Sequence, residues 1–253
     1  MQANLSHLHE SLPLWLGIAF AMITFTALAG LYRAMQQASP AGSRRALIGL
    51  LGWLALTGVL AANDFFLVTG TTPPRFAFIL VPAFAFIIGL LSTRSGHRFV
   101  DRLPLPALTL LHTVRIPVEL TIYAFYLYQQ VPELMTFEGR NPDILPGLTA
   151  PLVAYLVFNR HWLSSRGLLL WNLVSLGFLF NIVIQAILAS PVPFQQFGFE
   201  QPNVAVLKFP FIWLPAFVVP LVLFCHVVAI RQLIRSRARK SQSPDTVTDL
   251  QVA

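Results

Sequence analysis

Long apolar runs in this chain are separated by short loops, and its cations are concentrated in every second loop. Thirteen of the 17 Lys and Arg residues fall into four groups: Arg33, Arg44 and Arg45; Arg94, Arg98 and Arg102; Arg160 and Arg166; and Arg231, Arg235, Arg237, Arg239 and Lys240. The intervening loops and the residues before the first run hold almost none. A run of about 20 apolar residues crosses the hydrocarbon as a helix, because backbone polar groups there must pair within the segment. Short Arg-rich loops remain cytoplasmic. The pattern predicts an all-α membrane protein of seven transmembrane helices, with its N-terminus outside and its C-terminus inside.

Composition excludes the ordinary soluble classes. Hydrophobic residues make up 56% of the chain and charged residues 11%, against about 25% charged in a typical soluble domain. The net charge of +7 would suggest nucleic acid for a soluble protein. Here the cations flank apolar runs, so they read as topology signals and as contacts for anionic lipid head groups, and no nucleic acid is expected. The expected partners are the lipid bilayer and either a second copy or another membrane protein. One cysteine, Cys225, falls in the last run, so no intrachain disulfide can form. The first cation, Arg33, follows the first apolar run, the reverse of a cleavable signal peptide, and the first span is expected to be retained.

The seven spans are expected at 12–32, 46–67, 76–92, 105–128, 146–162, 167–189 and 207–230. They make residues 1–240 a single domain, followed by a polar tail, 241–253, of the kind that stays disordered in the cytoplasm. The fifth run is only about 13 residues, short of the roughly 20 needed to cross. It either draws Asn159, Arg160 and Trp162 into the inner interface or breaks locally. Trp15, Trp162, Trp171 and Trp213 fall near expected interfaces, as in an aromatic belt.

An internal echo bears on architecture. Residues 75–84, RFAFILVPAF, resemble residues 208–217, KFPFIWLPAF, with a leading cation and with Phe and Pro at matching offsets. Phenylalanine and proline are abundant enough here for chance to produce such a match. Each segment is nevertheless third in a set of three spans, and both run in the same direction. The echo is compatible with a 3+1+3 parallel repeat, a plan in which substrate binds between the halves.

The fourth span carries the ionisable groups. His112, Arg115 and Glu119 are spaced by three and four residues, so they share a helix face. Charged groups at this depth cost about 2.5–3.5 kcal/mol each and rarely face lipid. Arg115 and Glu119 are close enough to pair. Their plainer role, with Pro117 between them, is to lock neighbouring helices. Their functional role is a polar pocket or proton relay in which Glu119 exchanges a proton and Arg115 pairs with it or binds an anion. Asn63 and Asp64 in the second span and Asn181 and Gln185 in the sixth lie at compatible depth, and together these groups are candidates for an outward-facing cavity. Taken singly, each amide is more commonly an interhelical hydrogen bond.

Two long outer loops are candidates for a lid. One holds Glu138, Arg140, Asn141 and Asp143, and the other Glu200, Gln201 and Asn203. Arg140 is expected to pair with Glu138, Asp143 or Glu200. Capping of helix ends by Asn141, Asp143 or Asn203 is the plainer alternative.

The run MTFEGRNPDIL at 135–145, with Trp171-Asn172 and Gln201-Pro202-Asn203 downstream, resembles a family of uncharacterised multi-pass bacterial inner-membrane proteins. The likeness covers the fourth span to the end. It implies a bacterial inner-membrane location and no particular activity. By topology alone the chain also resembles 3+1+3 seven-helix proteins such as SWEET and PQ-loop transporters, but no Pro-Gln dipeptide is present. A rhodopsin would need a lysine deep in the last span, whereas Lys208 lies at its edge and the other lysine, Lys240, lies in the tail. The sequence has no His-Glu-x-x-His, Gly-x-Ser-x-Gly or phosphate-binding glycine loop, so enzymatic hydrolysis is not expected.

Three functions remain. The first is a small-solute or proton-coupled transporter with no cofactor. The second is a haem-binding or sensory protein using His112 and His226 as axial ligands. The third is a non-catalytic structural or assembly subunit.

Overall fold

The computed structural model describes residues 2–241, and the expected tail at 242–253 lies outside the described residues. The described chain is all helical, without a strand. Its main elements are α1 (Leu14–Ala38), α2 (Pro40–Ala62), α3 (Ala77–Ser92), α4 (Arg94–Val100), α5 (Leu105–Leu127), α6 (Ile144–Asn159), α7 (Ser165–Leu188) and α8 (Leu214–Ala238).

Five of these, α1, α2, α5, α7 and α8, are long and apolar enough to cross a membrane. A sixth crossing requires α3 and α4 to be counted together, although they meet at a 95° bend. The shorter α6 falls below the length of the others, so the expected count of seven rests on α3 and α6. Large apolar side chains such as Met22, Val59, Phe86 and Leu170 point out of the bundle, the surface that hydrocarbon would solvate.

Three helices at the Arg-rich end start on the same local device. Ser39 Oγ accepts from Gly42 N at 3.3 Å, Thr93 Oγ1 from Gly96 N at 3.0 Å and Ser164 Oγ from Gly167 N at 3.4 Å. Each satisfies an N–H that has no partner within the helix. At Gly96 the residue type is forced, since a Cβ there would lie 1.8 Å from Leu90 O. That close approach is what lets the chain fold sharply from α3 into α4. Asp101 then accepts from Arg231 at 3.1 Å and lies 3.2 Å from Arg235, tying α4 to the end of α8.

The bundle is organised around α8, of whose apolar window 61% is buried, against 22% for α2. It packs on α7 and α5, and α3 lies against its opening turn. That opening, Leu214–Val218, is a π turn, and the carbonyl of Ala216 accepts from Trp53 Nε1 at 2.9 Å. Trp213 Nε1 donates in return to Leu54 O at 2.9 Å, so α2 and α8 are joined by reciprocal indole bonds. The two echo segments differ in backbone: 77–84 is regular helix around Pro82, whereas 208–212 is a succession of turns and helix follows only afterwards.

The expected shortness of the fifth run has a structural counterpart. Helix α6 ends in a π turn, Tyr155–Asn159, with Arg160 Nε donating to Tyr155 Oη and its guanidinium 5.8 Å from the Trp162 ring.

At the opposite end Lys208 fastens the N-terminal segment to the bundle. Its Nζ donates to His7 O at 2.9 Å, Glu10 O at 2.7 Å and Gln130 Oε1 at 2.6 Å. Burial pushes this amine down to about 8, with Glu10 and Asp64 acting in the opposite direction.

Candidate functional site

The α5 face read from the sequence is buried in full: His112, Arg115 and Glu119 are each at most 2% exposed. A 3-10 turn at His112–Val114 precedes Arg115, and Pro117 lacks the N–H that would continue the ladder. Helix α6 approaches closely at this level. A Cβ on Gly147 would lie 2.9 Å from Ile116 Cγ1 and 3.2 Å from Arg115 Cβ.

Arg115 does not pair with Glu119 as expected. Its guanidinium grips Asp143, with Nε donating to Oδ2 at 2.8 Å and Nη2 to Oδ1. Nη2 also donates to Ser175 O at 3.1 Å, and Nη1 to His226 Nε2 at 3.3 Å. Asp143 presents both oxygens to the planar fork, the favoured geometry for arginine, while Glu119 is held elsewhere. Its Oε2 accepts from Asn141 Nδ2 at 2.6 Å. The same nitrogen donates to Met135 O at 2.9 Å, and Asn141 Oδ1 accepts from Asp143 N at 3.1 Å. Asn141 therefore builds the turn that delivers Asp143 to Arg115 and also positions Glu119.

Behind Arg115 lies a histidine pair. His226 Nδ1 donates to Asn172 Oδ1 at 2.9 Å, and Asn172 is oriented by donating Nδ2 to Leu168 O at 3.0 Å. With Nε2 accepting from Arg115, this network assigns a neutral imidazole. His112 stacks on it at 4.0 Å and 27°, and Trp171 meets His112 edge-on at 5.4 Å. Axial ligation of a haem needs two nitrogens aimed at one iron from opposite sides. The rings are instead face to face, and both nitrogens of His226 are engaged. Among the described residues no group of three or more His, Cys, Asp or Glu is arranged to hold a metal ion.

A cavity of about 100 Å³ lies between α3, α5, α7 and α8. Its walls are apolar, including Ile79, Val118, Ile122, Leu179, Ile182 and Val222, and Arg115, Glu119 and Asp143 reach its lining. Of this ionisable trio, Arg115 and Asp143 satisfy each other. Among the described residues none donates to Glu119 Oε1, since Asn141 holds Oε2. Asn203 also lines the cavity; its Nδ2 donates to Ala186 O at 3.1 Å, while its buried Oδ1 has no partner among the described residues.

Other candidates fall outside this centre. Asn63 and Asp64 are exposed, and Asn63 Nδ2 returns to Val59 O at 2.8 Å. Asn181 and Gln185 both donate to Arg140 O, at 2.8 and 3.2 Å, pinning the first long loop to α7. The Arg140 side chain is exposed and makes no ion pair among the described residues, as are and do Glu138 and Glu200. Gln201 Nε2 donates to Tyr126 O at 2.9 Å and Val131 O at 2.6 Å, joining the second long loop to the first. Asp143 makes no side-chain capping bond at α6, because its carboxylate is spent on Arg115. Asn172 and Ser175 were missed in the sequence. Their spacing of three, continued through Leu179 and Ile182, marks the buried face of α7.

Residues 73–234 match a family described as a domain of unknown function, DUF8737. The chain belongs to this family. The matched region runs from just before α3 into α8, so it contains the cavity and every member of the buried polar network, and begins earlier than the fourth span to which the sequence resemblance extended. No curated protein and no solved structure matches the chain.

Proposed function

We propose that the protein is a proton-coupled carrier of a small solute, crossing the bacterial inner membrane seven times with its N-terminus outside and its C-terminus inside. The observation that carries this reading is the cavity whose lining includes Glu119, the one carboxylate of the buried network left with an unbonded oxygen. A carboxyl group so placed exchanges a proton with whatever occupies the cavity, and ionisable groups at membrane depth mark ion and substrate pathways. Two of the surrounding helices are interrupted close to the cavity, α5 by a 3-10 turn and α8 by the π turn that opens it. Interrupted helices are where bundle transporters bind and move. The Arg-rich loops give the orientation.

The test is proton flux in proteoliposomes loaded with a pH-sensitive dye, challenged with four-carbon amines, carboxylates and alcohols. At least one class is expected to drive flux in the wild type and to lose it in Glu119→Gln. Solute-driven flux that persists unchanged in Glu119→Gln contradicts the role of this carboxyl, and absence of flux with every class contradicts the carrier reading.

A further inference from the structure

Resting on the cavity assigned above, we propose that its ligand is a protonated amine carrying a compact apolar body. Among the described residues no hydrogen bond reaches Glu119 Oε1, its Oε2 being the oxygen that Asn141 holds, and Asn203 Oδ1 is buried without a partner; both residues line the cavity, and both atoms are acceptors. Turning the Asn203 amide to offer its nitrogen would set its oxygen against Ala186 O, which now accepts from both Asn203 Nδ2 and Ser190 Oγ. Two acceptors without a donor call for a ligand that supplies N–H groups, since a buried acceptor left unpaired costs about 1–3 kcal/mol.

Charge selects in the same direction. Arg115 is committed to Asp143, Ser175 O and His226, and its bidentate pair with Asp143 cancels both charges. An anion entering the cavity would have to break that fork and face a second carboxylate. A cation meets Glu119 alone. With Glu119 ionised the network carries one net negative charge, which an ammonium group neutralises. Proton and amine then compete for one carboxylate, so binding of the amine to protonated Glu119 releases one proton.

Shape limits the rest of the ligand. Apart from these two acceptors and the Arg115–Asp143 pair the walls are apolar, and at about 100 Å³ the cavity is smaller than one of about 150 Å³ that holds benzene. A body of about four carbons is the size that the space accepts.

Calorimetric titration of the full chain in lipid nanodiscs, referenced to empty nanodiscs, tests this with n-butylammonium, butanoate and butan-1-ol, probes differing only in the head group. The ammonium is expected to bind at least about tenfold more tightly than the other two, and more weakly as pH falls. Glu119→Gln is expected to weaken it by about ten- to a hundredfold, the range for a hydrogen bond to a charged group. Asn203→Leu, which leaves the ion cluster untouched, is expected to weaken it severalfold. Butanoate or butanol binding as well as the ammonium, in the wild type alone, overturns the proposal even if a variant fails to fold. Amine binding without proton flux would retire the carrier reading and leave the ligand class standing; carboxylate-driven flux would do the reverse.

Discussion

Replacing Arg115 with Met is expected to destabilise the protein by about 3–5 kcal/mol, the usual result of removing one partner of a buried ion pair. The guanidinium is 2% exposed and Asp143 is 4% exposed, so water does not take over the lost contacts. The substitution strands more than one acceptor: both oxygens of Asp143, the carbonyl of Ser175 and Nε2 of His226. The double variant Arg115→Met/Asp143→Leu is expected to recover part of the loss, because an apolar pair of similar volume often replaces a buried ion pair at little cost. Equilibrium unfolding in detergent gives both values and their coupling. A loss below about 1 kcal/mol, the range of an exposed pair, would mean that this pair is not desolvated.

Asn141→Leu is expected to have the second largest effect, about 2–5 kcal/mol, from unsatisfied groups worth about 1–3 kcal/mol each. The amide serves Glu119 Oε2, Met135 O and Asp143 N together. Leucine has about the same size, so the loss is one of hydrogen bonds and not of volume. Because Asn141 also sets the turn before Asp143, its variant and Arg115→Met are expected to be non-additive, as residues of one network are. The same unfolding measurement checks this. A cost under about 0.5 kcal/mol, together with simple additivity, would separate the loop from the network.

The helices that were legible in the sequence are those whose length and hydropathy decide the matter alone. Helices α5 and α7 start and stop within a few residues of their expected limits, whereas α1 runs on to Ala38, past its expected end at 32, and α2 is shifted to Pro40–Ala62 from an expected 46–67, its start set by the Ser39 cap. The last span was expected from 207 but becomes helical only near Trp213. Apolar turns and an apolar helix have the same hydropathy, and this is why the difference was invisible. Helix α3 ends at Ser92, the expected limit of the third span, but the short helix α4 beyond it was not read, although Thr93 stands three residues before Gly96 as its cap. In the site, helical periodicity correctly placed His112, Arg115 and Glu119 on one buried face. It could not choose the partner of Arg115, because Asp143 is 28 positions away and is delivered by a loop. Depth likewise suggested Asn63, Asp64, Asn181 and Gln185 for the cavity. Depth fixes height along a helix and says nothing of the direction a side chain faces, and the first two face out while the other two hold a loop.

The account centres on Glu119 as the one carboxyl of the buried network that is open to the cavity. A hydrophobic carbodiimide, which adds to carboxyl groups in apolar surroundings, followed by peptide mapping with mass spectrometry, addresses that directly. Modification is expected at Glu119, lost in Glu119→Gln and slowed by n-butylammonium, with Asp143 spared by its bond to Arg115. Modification of Asp143 in preference to Glu119, or no modification of either, would contradict it.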